Sequence, residues 1–199
     1  MSEIPAHKVA ELRARTGASM MDCKKALVAT GGDLDKAEDH LRMQGVKAAA
    51  KKADRATNQG WIGHYVHQGR IGVLVEVACE TDFVARNDKF QEFVRELSMH
   101  VCSMNPLAVR SEDLDPGLVN REREVYLGQV LDKPENVRAK IVEGKLKKFF
   151  SDHCLLDQNW YKDQQGTPRT VQQVLTEQIS TIGENIVIQR FVRFELGGK

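Results

Sequence analysis

The chain has 199 residues, of which 41% are hydrophobic and 29% are charged, and its formal net charge at pH 7 is only +1. This length and composition are typical of a globular protein of one or two domains with a buried core. The near-neutral charge argues against a dedicated nucleic-acid binder, because phosphate contacts require Lys and Arg in excess.

The first 45 residues predict three short helices. Pro5 fits the first turn of a helix that stops at Gly17. Ser19, with an acid three residues later, has the form of a capping box for the second helix. Asp33 caps the third helix, and Gly45 is predicted to end it. Helices this short are unstable alone, so we expect them to pack as a bundle.

An Ala- and Lys-rich stretch from residue 46 to residue 56 follows this bundle and has helical propensity. It carries little apolar surface of its own, so we interpret it as a link. The predicted domain boundary lies near Ala53 and divides the chain into residues 1–53 and 54–199.

From Gly60 the hydrophobic period changes to two, which predicts a β-hairpin. Residues 61–66 form the first strand, His67-Gln68-Gly69-Arg70 the turn, and residues 71–77 a second strand with alternating valines. The polar residues 81–87 then connect this hairpin to the next helix.

The remaining chain predicts further helices and one strand. Helical spacing covers residues 90–101, 119–130, 141–149 and 171–182, and a β-branched and aromatic run covers residues 185–196. A hairpin, helices and a final strand together predict an α+β core, with a small antiparallel sheet packed with helices.

Several classes of function lack their sequence signals. No apolar run approaches the roughly 20 residues that cross a bilayer, and the N-terminus lacks the apolar segment of a secretory signal. The four cysteines are far apart, and His64 and His67 have no Cys or carboxylate at ligand spacing. Phosphate-loop, dinucleotide-binding, zinc-protease and serine-hydrolase motifs are missing. We therefore expect a cytoplasmic protein without metal, cofactor or covalent chemistry.

Four segments resemble, in this order, the signatures of the elongation factor Ts family. They are residues 12–27 (LRARTGASMMDCKKAL), 79–87 (CETDFVARN), 144–149 (GKLKKF), and 182–186 (IGENI) running into 190–194 (RFVRF). Each segment alone is weak, but together they span nearly the whole chain and are very specific.

The resemblance implies a fold and a function. The family has an N-terminal three-helix domain like the ubiquitin-associated domain, followed by a mixed core. Its members exchange guanine nucleotide on elongation factor Tu by disturbing the partner's magnesium and phosphate site. The absence of a long insertion makes this chain resemble the short form, which pairs with itself, so the implied assembly is a homodimer that binds elongation factor Tu. No stable nucleic-acid or membrane partner is expected.

The resemblance also implies which residues bind the partner. Those assigned to the partner's magnesium and phosphate region are Thr81, Asp82, Phe83, Val84, Arg86 and Asn87. Those assigned to the partner's nucleotide-binding domain are Arg13, Met20 and Met21.

Several of these assignments have a structural alternative. Phe83 could be a buried anchor, since most Phe residues lie in cores. Asp82 could cap a turn or pair with Arg86. Adjacent helical positions differ by about 100°, so Met20 and Met21 cannot both face a bundle core, but one of them could fill it while the other is incidental. Without the resemblance, Arg13 would be interpreted as a solvated charge on the surface of a helix.

Three other functions remain open at this stage. An adaptor would recognise a different protein through the N-terminal bundle alone. An RNA-binding protein would use the basic residues between positions 46 and 56. An unrecognised hydrolase or transferase is disfavoured by the missing nucleophile and base motifs.

Overall fold

The computed structural model describes residues 4–163 and 166–198, which form an α+β fold. The α-helices of these residues are α1 Ala6–Thr16, α2 Met20–Ala29, α3 Leu34–Ala50, α4 Asp82–Ala85, α5 Asp88–Met104, α6 Pro116–Gly128, α7 Glu135–His153 and α8 Val171–Ile182. The strands are β1 Gln59–His67, β2 Ile71–Cys79 and β3 Ile186–Glu195, and two short 3-10 helices cover Ser111–Asp113 and Leu155–Asp157. The predicted fold class is confirmed at this level.

Helices α1 to α3 pack around a small apolar core, and we call them the helical bundle. The buried residues of this core are Val9, Leu12, Cys23, Ala26, Leu27 and Ala37. The predicted caps are present: Gly17 ends α1 with a φ of 67°. The Ser19 hydroxyl accepts a hydrogen bond from the Asp22 backbone N–H at 3.1 Å, and the Asp33 carboxylate accepts one from the Lys36 N–H at 3.1 Å. Local sequence signals therefore set the starts of α2 and α3.

The prediction that Gly45 ends the third helix is wrong. Helix α3 continues through this residue to Ala50. Gly45 is buried, and a Cβ built on it would lie 3.5 Å from the Cβ of Ser180 on α8. That distance is an ordinary van der Waals contact, so Gly45 lies where α3 packs against α8, and its backbone keeps the helical conformation.

The three strands form one antiparallel sheet in the order β1-β2-β3. The β1–β2 turn has positive φ at Gln68 (49°) and Gly69 (67°), a combination that matches the twist of a two-residue hairpin. Gly63 on β1 has no room for a side chain, because a Cβ there would lie 2.5 Å from the Val94 side chain on α5. The predicted hairpin and its turn are confirmed.

Contacts within the chain define two compact units. Unit 1 consists of the described part of Met1–Gly60 with Ala78–Phe90 and Leu175–Val187. Unit 2 consists of Trp61–Val77, Gln91–Val174 and the described part of Ile188–Lys199. The domain boundary near Ala53 stays a prediction.

Unit 2 contains a buried polar and aromatic group that we call the His100 cluster: His100, Gln158, Trp160 and Tyr161. The rings of His100 and Trp160 stack with centroids 5.2 Å apart. His100 Nδ1 accepts a hydrogen bond from the Tyr161 backbone N–H at 3.3 Å, so Nε2 carries the proton toward Gln158 Oε1 at 3.1 Å. Burial lowers the pKa of His100 to about 4, so the ring is neutral at pH 7.

The four cysteines are buried, and none forms a disulfide. Burial raises the pKa of the Cys79 and Cys102 thiols and raises that of Cys154 to about 11. These thiols are therefore protonated and shielded from reagents at neutral pH. Among the residues that the structure describes, no helix combines the length and the apolar character needed to cross a membrane.

Candidate functional site

Residues Thr81–Asn87, which we call the Phe83 segment, contain a turn of helix where sequence reasoning expected only a polar connection. Helix α4 begins after Thr81, whose hydroxyl accepts a hydrogen bond from the Val84 backbone N–H at 3.4 Å. It ends after Ala85, the one buried residue of α4. At the end of the segment, Asn87 Oδ1 accepts a hydrogen bond from the backbone N–H of Lys89 in α5 at 2.9 Å.

Phe83 projects from this turn into solvent. Its side chain is 82% exposed, more than any other large hydrophobic side chain among the described residues. The buried-anchor alternative for Phe83 is therefore wrong. Exposing a complete aromatic ring forfeits the stability that its burial would give, so the position needs an explanation other than folding.

The charged residues beside Phe83 pair with each other. The carboxylate of Asp82 lies 3.2 Å from the guanidinium of Arg86, one helical turn later. This is the pairing that sequence reasoning kept as an alternative role for Asp82. Both side chains remain substantially exposed, so the pair contributes little stability and both groups can still meet a partner.

The start of the Phe83 segment is held from a distant part of the chain. Both carboxylate oxygens of Glu184, in the connection between α8 and β3, accept hydrogen bonds from Thr81. The Thr81 hydroxyl donates to Oε1 at 2.6 Å, and the Thr81 backbone N–H donates to Oε2 at 3.0 Å. Charge-assisted hydrogen bonds of this length are among the stronger ones in proteins.

The next residue, Asn185, extends this attachment to the chain that leaves α3. Its backbone N–H donates to Glu80 Oε1 at 2.6 Å. Its side-chain amide donates to the backbone carbonyls of Ala53 at 3.2 Å and Arg55 at 2.9 Å. The Arg55 guanidinium lies 3.4 Å from Glu80 Oε1. Asn185 is only 3% exposed, so these hydrogen bonds satisfy a buried amide.

A shallow, open depression lies next to Phe83. It is lined by Gln59, Glu80, Thr81, Asp82, Phe83 and Arg86. The described residues contain no group of three or more His, Cys, Asp or Glu side chains that could hold a metal ion. An open depression beside a projecting aromatic ring suits contact with a macromolecule better than enclosure of a small ligand.

The second predicted surface lies on the helical bundle. Met20 and Met21 begin α2 and are 45% and 64% exposed, so both face solvent rather than the bundle core. Met21 borders a shallow, mostly apolar depression that continues along α2 to Val28. Arg13 is exposed in the last turn of α1, on a different helix from the two methionines.

Sequence reasoning missed the residues that hold the Phe83 segment, namely Glu80, Glu184 and Asn185. All three lie inside segments that carry the family resemblance, residues 79–87 and 182–186. That resemblance was the available signal. It did not indicate the contact itself, because Thr81 and Glu184 are 103 positions apart.

Comparison with known proteins identifies close relatives. The family described as "Elongation factor TS" matches residues 6–197. The elongation factor Ts of Nitratidesulfovibrio vulgaris is 53% identical over 199 residues, which cover 98% of each chain. That of Geotalea daltonii is 52% identical over 197 residues, covering 98% of this chain and 90% of the relative. That of a Thermoanaerobacter species (strain X514) is 51% identical over 197 residues, with 98% and 95% covered.

Proposed function

The chain belongs to the elongation factor Ts family, and on that premise we propose that it is the guanine-nucleotide exchange factor for elongation factor Tu. It promotes release of GDP during translation elongation and makes or breaks no covalent bond. The observation that carries the mechanism is the projection of Phe83 from a short helix anchored at its N-cap, Thr81.

The proposed mechanism is a deformation of the partner's nucleotide site. A GTPase holds GDP mainly through its phosphates, a bound magnesium ion and backbone N–H donors. Phe83 inserts beside the magnesium-binding region, and the neighbouring Asp82 and Arg86 contact polar groups there. A small displacement of the magnesium and phosphate contacts then weakens several charge-assisted interactions at once.

The thermodynamic requirement is a differential affinity. The factor must bind the nucleotide-free partner more tightly than the GDP-bound partner, and this difference sets how far it can lower GDP affinity. The coupling is reciprocal, so GDP weakens the complex by the same factor.

A second contact supports the first. We propose that the helical bundle, which resembles a ubiquitin-associated domain, binds the partner's nucleotide-binding domain through Arg13, Met20 and Met21. Flexible and polarizable methionine side chains adapt well to a partner surface, and both are exposed. This contact retains the partner while the Phe83 segment acts on the nucleotide site.

We further propose that the protein is a homodimer in which two sheets pair. Apart from Trp61, the three strands carry five exposed large apolar side chains, Ile62, Val66, Leu74, Val192 and Phe194. Pairing with a second copy would bury the same patch on both chains, which is the geometry of a twofold interface.

Light scattering tests this assembly. The wild type is expected to have the mass of two chains, and Phe194→Asp that of one. The control is Leu131→Asp, whose side chain is equally exposed but lies outside the sheet. A monomeric wild type would exclude the dimer.

The exchange function is tested with elongation factor Tu loaded with fluorescent GDP. Substoichiometric amounts of this protein are expected to accelerate release in the presence of excess unlabelled GDP. If release keeps its spontaneous rate at all concentrations of the protein, the proposed function is wrong.

A further inference from the structure

We propose that Glu184 and Asn185 are positioning residues for nucleotide exchange, which fix the Phe83 segment and the end of the helical bundle relative to each other. This inference rests on the proposed function and assigns a role to two residues that do not themselves carry the projecting ring.

The Phe83 segment needs an external support. Helix α4 has four residues, too few to be stable through its own backbone hydrogen bonds. Phe83 adds almost no packing, because 82% of its surface is exposed. The direction of the ring therefore depends on how the ends of the segment are held, at Thr81 and through the buried Ala85.

Glu184 supplies this support through both carboxylate oxygens. Thr81 donates its hydroxyl to Oε1 and its backbone N–H to Oε2, while the same hydroxyl accepts the Val84 N–H that caps α4. Two bonds donated to one carboxylate fix the orientation of Thr81 as well as its position. Glu184 thus acts on Phe83 through the cap of α4.

Asn185 connects the chain that leaves α3 to the residue before the Phe83 segment. Its amide donates to the carbonyls of Ala53 and Arg55, just beyond the end of α3, and its backbone N–H donates to Glu80. Two adjacent residues therefore hold both the chain that leaves the bundle and the chain that enters the Phe83 segment.

This connection matters because the proposed mechanism uses both surfaces at once. When two contacts on one partner are held at a fixed spacing, the second forms without a further loss of freedom. Small errors in spacing reduce the effect strongly, because an aromatic ring must reach a defined position in the nucleotide site. Loosening the connection should therefore slow release of GDP even when the partner is fully bound.

The test measures GDP release from elongation factor Tu over a range of concentrations of each variant, up to saturation. Glu184→Ala and Asn185→Ala are each expected to lower the maximal rate about tenfold. A variant that is only destabilised contains fewer active molecules, so it reaches the wild-type maximum at a higher total concentration. The maximal rate thus separates positioning from folding.

Matched controls are available on distant helices. Glu143 on α7 and Asn120 on α6 are exposed, and their replacement by Ala is expected to leave the maximal rate unchanged. Where Glu184→Ala does not fold, Glu184→Gln serves. Its amide keeps one acceptor oxygen, but its NH2 group cannot accept from the second Thr81 donor, and the charge that strengthens both bonds is lost. A wild-type maximal rate for Glu184→Gln and Asn185→Ala would overturn the proposal.

Limited proteolysis with trypsin measures positioning without the partner. Glu184→Ala is expected to speed cleavage after Arg86, in the Phe83 segment, relative to cleavage after Arg70 in the hairpin turn. Asn185→Ala is expected to speed cleavage after Arg55. Unchanged relative rates in both variants would overturn the proposal, even if exchange were slowed. A third outcome separates the two proposals. If the wild-type protein does not accelerate GDP release from elongation factor Tu, but the two variants are cleaved faster at Arg86 and Arg55, the proposed function is wrong and the structural role of Glu184 and Asn185 stands.

Discussion

The Phe83 segment and residues 158–161 of the His100 cluster are both short stretches of chain held by a side chain far away in sequence, but they place their aromatic rings in opposite ways. Glu184 holds Thr81 across 103 positions, and Phe83 then faces solvent. His100 holds Gln158 across 58 positions, and Trp160 stacks on the imidazole with only 3% of its surface exposed. Hydrogen bonds fix position in both regions, whereas only the second region gains stability from burying its ring.

Trp160→Ala is expected to lower the unfolding free energy more than Phe83→Ala or Arg86→Ala does. A small loss would contradict the contrast between the His100 cluster and the Phe83 segment. Removing a buried indole leaves a cavity and costs about 3–5 kcal/mol of unfolding free energy. Urea denaturation followed by circular dichroism measures this loss. A cost below about 1 kcal/mol would mean that the His100 cluster is no more important for stability than the Phe83 segment.

The second-largest expected effect is a loss of stability at acidic pH, caused by the buried ring of His100. The pKa of His100 is lowered to about 4 from 6.5 because burial penalises the charged ring. As pH falls below 6.5, His100 is protonated in the unfolded chain but stays neutral in the native protein. The unfolding free energy therefore decreases between pH 6.5 and about 4. The loss is on the order of 3 kcal/mol.

Urea denaturation at several pH values tests this expectation, with His100→Gln as the comparison. The variant should lose the part of the slope between pH 6.5 and 4 that His100 supplies. An identical slope in both proteins would contradict the assignment of the buried neutral ring.

Phe83→Ala should show the reverse pattern, with a large effect on exchange and a small one on folding. We expect GDP release to slow about thirtyfold, which corresponds to about 2 kcal/mol. The unfolding free energy should change by less than about 0.5 kcal/mol, because an exposed side chain contributes little packing. Stopped-flow fluorescence and urea denaturation measure the two quantities. Loss of stability in place of activity would assign Phe83 a structural role.

Arg86→Ala is expected to have the smallest effect on stability and on GDP release. It tests whether the ion pair with Asp82 maintains α4 or Arg86 contacts the partner. Its ion pair with Asp82 is exposed, so the stability change should be about 0.5 kcal/mol or less. A roughly threefold slower GDP release would indicate contact with the partner. A stability loss above about 1 kcal/mol would instead mean that the ion pair maintains α4.

Local patterns predicted much of this fold. The alternating valines of β2 and the Gly69 turn gave the hairpin, and the apolar spacing of residues 171–182 gave the bounds of α8. These features depend on neighbours in sequence, so the chain itself carries their signal. The exposed position of Phe83 was also suggested by its polar neighbours, once the family resemblance was recognised.

The errors arose where a distant partner decides the outcome. Gly45 looks like a helix stop, but it is buried next to Ser180 where α3 packs against α8, and the helix continues through it. The Thr81–Asn87 connection looks like a loop, but the bonds from Glu184 support a turn of helix there. No local pattern encodes a contact made across more than a hundred residues.

The buried cysteines have a practical consequence for work on this protein. All four thiols are shielded, and burial raises the pKa of Cys79 and Cys154. A single cysteine introduced on the surface, for example at Asn120, would react with a maleimide dye far faster than the native thiols. Fluorophores or spin probes can therefore be attached at chosen points without first replacing the natural residues.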